Sequence, residues 1–145
     1  MRTSRLLTAM AAAAVLGTVV VGAGCVRFSP RSRASGPEST PEGVKFRFYS
    51  PSASRVQLAG NWPENNWARG DGSAGEADVG LMTVDREGMW EIVVPLGAGR
   101  YQYLFWVDEN TWHLDPGCLE EVSGGPHGVT SLLMVFERGG ELEVR

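Results

Sequence analysis

The stretch GMWEIVVPLGAGRYQYLFWVDENTWHLDP, running from Gly88 to Pro116, decides how this chain folds. In it Trp90, Ile92 and Val94 alternate with Glu91 and Val93, so the first three share one face of an extended strand. Pro95 and Gly97-Ala98-Gly99 then reverse the chain, because proline donates nothing to a ladder and glycine relieves turn sterics. A second alternation follows, with Tyr101, Tyr103, Phe105 and Val107 on one side and Gln102, Leu104 and Trp106 on the other. Asp108-Glu109-Asn110 makes the next turn, and Thr111-Trp112-His113-Leu114 leads into Asp115-Pro116. Two neighbouring strands with aromatic faces, followed by a Trp at the lip of a turn, predict a β-sandwich with a ligand surface.

Upstream, Val44, Phe46 and Phe48 alternate with Lys45 and Arg47, and Val56 and Leu58 mark a second strand that ends at Gly60. Asn61 to Trp67 and the weakly hydrophobic Arg69 to Asp78 read as loop, and Leu81 to Asp85 as a short strand. Downstream, Ser123 to Gly128 reads as loop, and Thr130 to Phe136 as a final core strand apolar on both faces. Short strands, turn signals between them and no helical periodicity predict an all-β, immunoglobulin-like (early-set) sandwich of about seven strands over residues 43–145.

The N-terminal part has a different character. Arg2 and Arg5 precede an uncharged Ala-, Val- and Leu-rich run, so residues 1–24 read as an export signal. Gly22-Ala23-Gly24 before Cys25 is similar to a bacterial lipoprotein signal, which implies lipidation of Cys25. Gly22 stands where that signal usually has an aliphatic residue. An ordinary signal peptide or an uncleaved anchor is the other reading, since about 20 apolar residues span a bilayer. Residues 25–42, rich in Ser, Pro, Arg and Gly, read as a flexible tether. The expected location is the cell envelope, as a membrane-attached lipoprotein or an exported protein. The only other cysteine is Cys118, expected as a lone small residue unless Cys25 keeps its thiol.

The order Gly-x-Trp, Val-Pro-Leu, Gly-x-Tyr-x-Tyr-x-Phe-x-Val-Asp, then Trp-x-x-Asp-Pro resembles the family-48 carbohydrate-binding modules. That family includes the glycogen-binding domain of the AMP-activated protein kinase beta subunit and the N-terminal domains of isoamylase and branching enzyme. The resemblance runs from about Gly43 to about Phe136. It implies that Trp67 and Trp112 match the two tryptophans that stack on an α-glucan. It also implies that Trp62 stands where a packing Phe is usual. Leu104 stands where a sugar-reaching Lys is found, Ser131 where an Asn is found, and His127 where a Leu inserts beside the sugar.

The residues themselves support a flat binding surface. Sugar recognition needs aromatic faces against pyranose C–H groups, and Trp supplies a large ring fixed by two torsions, so little entropy is lost on binding. Trp67 and Trp112 are read as such platforms or as loop packing, Trp106 as lining the same site, covering the sheet or facing a partner protein, and Trp90 as core. Carrying one lysine, Lys45, and a net charge of −4, the chain offers no basic footprint for nucleic acid. Asp108, Glu109 and Asp115 sit at turns and are read as turn chemistry rather than a glycosidase pair. His113 and His127 lack ligand spacing, and no phosphate loop or nucleophile elbow occurs, so no metal, cofactor or catalytic residue is expected. The chain is therefore read as a non-enzymatic module that binds α-glucan; the alternative is a protein-interaction module of the same fold that has lost its sugar site.

Overall fold

The computed structural model describes residues 36–69 and 78–145. The signal-like segment 1–24, Cys25 and the start of the tether lie outside the described residues. Ten strands form two sheets, with no α-helix among the described residues. In chain order they are β1 (Glu38–Thr40), β2 (Gly43–Tyr49), β3 (Val56–Gly60), β4 (Thr83–Val84), β5 (Met89–Val94), β6 (Gly99–Val107), β7 (Thr111–His113), β8 (Glu121–Gly125), β9 (Gly128–Arg138) and β10 (Glu141–Val144). One sheet runs β1-β2-β5-β4; the other runs β10-β9-β6-β3, with β7 paired to β6 and β8 to β9.

The alternation in the organising stretch does set the core. Phe46 and Phe48 of one sheet meet Tyr103 and Phe105 of the other, with Phe46–Tyr103 centroids at 5.0 Å and Phe48–Phe105 at 4.5 Å. Val44, Val56, Leu58, Trp90, Leu133 and Val135 complete the buried cluster. Trp62 turns inward as well, 6.3 Å from Phe46. Its ring lies so close over Gly60 that a Cβ there would stand 1.7 Å from Cζ3, so glycine is required at the end of β3.

Three features differ from the sequence reading. Pairing begins at Glu38, inside the stretch read as tether, because Glu38–Thr40 aligns with Gly43–Lys45 and Arg47 Nη2 pairs with the Glu38 carboxylate. The stretch Ser123 to Gly128, read as loop, belongs to a β8–β9 hairpin whose register shifts between Ser123 and Gly125. An extra strand, β10, pairs with the end of β9. Glycine-rich and acidic segments carry weak strand signals, and in each case the partner strand supplies the ladder that propensity does not.

Candidate functional site: an aromatic strip on the outer face of one sheet

The strip is assembled from four separate pieces of chain. The first leaves β3 at Gly60 and is clamped by Asn65, which is 3% exposed. Asn65 Oδ1 accepts from Gly60 N at 2.6 Å and Ala68 N at 2.8 Å, while its Nδ2 donates to Leu58 O at 2.7 Å. Trp67 N donates to Gly60 O at 2.7 Å. Held in this way, Asn66, Trp67 and Ala68 take φ values of 43°, 61° and 61°, a left-handed turn made of L-residues. Such backbone costs about 1–2 kcal/mol per residue and persists only where its surroundings impose it. Asn65 is the site component that the sequence reading missed. Its signal was a polar residue followed by one more loop residue, Asn66, and a Trp, which is indistinguishable from ordinary loop composition. Replacing Asn65 with Ala should therefore lower stability by at least about 2 kcal/mol, through orphaned buried partners. It should also weaken any ligand that uses Trp67; denaturant titration and binding measured on the same variant check both.

The second and third pieces are β6 and β7. Their hairpin connection is residues 108–110, with Asp108 and Glu109 at φ 50° and 55° and Asn110 N donating to Val107 O at 3.0 Å. Positive φ at both positions matches the right-handed strand twist. Asp108 Oδ1 accepts from Ser54 N at 2.8 Å and Arg55 N at 2.9 Å, and Glu109 pairs with Arg55 at 3.3 Å. These bonds pin the turn to the start of β3 and make Trp106 and Trp112 direct cross-strand partners. Their rings stack with centroids 5.2 Å apart and planes 6° from parallel.

The fourth piece is the β8–β9 turn, which carries His127. Its imidazole stacks on Trp112 at 3.8 Å and 20°, and meets Trp67 edge-on at 5.9 Å and 70°. Trp67, Trp106, Trp112 and His127 are all half-buried, so the strip is partly open to solvent. Burial lowers the His127 pKa, and the Arg69 guanidinium lowers it further, so the imidazole is neutral at neutral pH.

Two sequence-predicted residues are buried rather than presented on the strip. Ser131 is 0% exposed. Its register partner is Tyr103, a core residue, so its side chain points into the sandwich, where Oγ accepts from Asp115 N at 2.9 Å. Leu104 shares the outer face with Trp106 but is only 2% exposed, which leaves it beneath the surface of that face. A lysine there would bury an ammonium rather than offer a donor. Asp115 is likewise structural. It accepts from Tyr103 Oη at 2.7 Å and Gly117 N at 2.7 Å. Burial pushes its pKa up, against the lowering effect of those two bonds. Burial, reinforced by Asp115, also pushes Tyr103 up, so the phenol keeps its proton and donates. Both Asp108 and Asp115 thus bond to backbone groups, as their turn positions suggested.

What the fold and site define is a small β-sandwich that presents aromatic rings from its loops and one sheet face: a ligand-binding module. The chain belongs to the family carbohydrate-binding module 48 (isoamylase N-terminal domain), whose profile matches residues 34–117, more than half of the 145. This is a family of non-catalytic carbohydrate-binding modules. The matched range includes Trp67, Leu104, Trp106 and Trp112 and stops short of His127 and Ser131. Among solved structures the chain is similar to one described as an alpha amylase from Salmonella typhimurium, at 17% identity and a TM-score of 0.49. That likeness covers 70% of this chain and 15% of the amylase chain. No curated protein matches the chain.

Proposed function

We propose that this chain holds α-glucan, a glycogen- or starch-like polymer, on the strip of Trp67, Trp112 and Trp106, and performs no catalysis itself. The observation that carries the reading is convergence. Rings from the β3–β4 loop, β6, β7 and the β8–β9 turn meet on one face, and the left-handed backbone at Trp67 is held by a buried Asn to bring this about. Flat aromatic faces suit pyranose rings, and the family is one of carbohydrate binders. Affinity electrophoresis in glycogen, starch and an unrelated polysaccharide tests it: retardation in the first two alone is expected. Unretarded migration in all three would sink the glucan reading.

A protein-interaction role is the second reading. It draws on Leu104 and Ser131 being buried, which leaves few hydroxyl-pairing groups beside the rings, while half-exposed tryptophans also mark protein interfaces. Under it the strip captures a partner protein and no polysaccharide.

Export and membrane attachment through Cys25 belong to the same proposal, on the strength of the signal-like run before it. The mature protein should partition into detergent with residue 25 as its N-terminus, and Cys25→Ser should release it or leave it unprocessed. A mature N-terminus elsewhere would refute the lipid anchor.

A further inference from the structure

We infer that His127 is a gate on the strip: its imidazole covers the face of Trp112 that a sugar ring would take, and ligand is admitted when the β8–β9 turn carries it away. For its ligand, this rests on the glucan reading above. Trp112 has a ring on either side. Trp106 lies 5.2 Å away and nearly parallel, and His127 lies 3.8 Å away at 20°. Two rings at such spacings on one face would collide, yet Trp106 and His127 make no ring contact with each other, so they take opposite faces. Trp112 thus has a ring against each face.

The two covers are held differently. Trp106 belongs to β6, paired with β3 on one side and β7 on the other. His127 sits in the turn between Gly125 and Gly128; a Cβ at Gly124 or Gly128, with φ 106° and 93°, would meet nothing within 4 Å, whereas one at Gly125 would stand 2.7 Å from Thr130 Cγ2. Beyond Gly125 the turn is therefore held chiefly by the contacts of the imidazole itself, and the ladder beside it carries an irregularity between Ser123 and Gly125. An imidazole at van der Waals distance occupies the layer that a stacked pyranose would need. Ligand must therefore exchange with it, and the fraction of open molecules scales the apparent affinity.

The test uses the full chain in detergent, titrated with maltoheptaose, together with acrylamide quenching of its Trp fluorescence. His127→Ala should bind about 5-fold more tightly than the parent, since a ring-on-ring contact no longer competes. His127→Phe keeps a flat ring in place and should show no gain. Equal or weaker binding by His127→Ala would overturn the gate and make the imidazole a bystander or a direct sugar contact. If no variant binds maltoheptaose, the glucan reading itself fails, and quenching of the ligand-free chain judges the cover separately. An increase in His127→Ala that disappears when Trp112 is also changed to Phe upholds His127 as the cover of that face. No increase refutes it.

Discussion

Trp90→Ala is expected to destabilise the fold by about 3–5 kcal/mol, the range for truncating a buried large aromatic. Trp90 is 5% exposed, faces Phe48 across the β2–β5 ladder and belongs to the central cluster between the sheets. Its Nε1 also donates to Ser50 O at 2.9 Å, so the substitution removes a hydrogen bond as well as volume. A domain of this size has roughly 5–15 kcal/mol in total, so the variant should sit close to unfolding at room temperature. Urea titration followed by circular dichroism measures the effect. A midpoint equal to that of the parent would mean that the ring does not fill the space between the sheets.

The second large effect is expected at Trp112, in binding rather than folding. Trp112→Ala should weaken glucan retention by at least about 30-fold, the loss typical of a central aromatic anchor. Removing it also forfeits its contacts with Trp106 and His127, so some stability goes too, but less than at Trp90, because the ring is half-buried and no enclosed cavity is left. Trp67→Ala provides the comparison. Among the described residues its ring contact is the edge-on approach to His127, so retention should fall with little change in the denaturation midpoint. Undiminished retention in both variants would remove the strip from glucan binding. Loss of a protein partner in both variants, with no polysaccharide retained by the parent, would favour the interaction reading.

Much of the architecture follows from patterns within single segments. Alternation in Val44–Phe48, Trp90–Val94 and Tyr101–Val107 identifies three strands and their inward faces: Lys45 and Arg47 mark the outer side of the first, and the aromatic and β-branched positions at period two mark the inner side of the others. The turn roles of Asp108 and Asp115 follow from the same local logic. By contrast, β1 and β8 have little apolar content of their own, and β7 and β10 are only 3 and 4 residues long, so each of the four depends on the ladder that a neighbouring strand offers.

The site divides along the same line. Trp67 and Trp112 stand out in the sequence as bulky rings at loop junctions, and the family resemblance supplies the proposal that they stack on a sugar. Facing within β9 could not be read there: Leu132, Leu133 and Val135 are apolar on both sides of the strand, so period-two reasoning has nothing to separate. Pairing of Ser131 with Tyr103 turns the serine inward, a fact held in the register of two strands far apart in sequence. The burial of Leu104 and the stack of Trp106, Trp112 and His127 are likewise tertiary. The chain itself determines which residues are aromatic and which strands alternate. Only the packing of β6 against β3, β7 and β9 decides which rings meet, because contact between distant segments depends on register and loop path, and neither is written in any one segment.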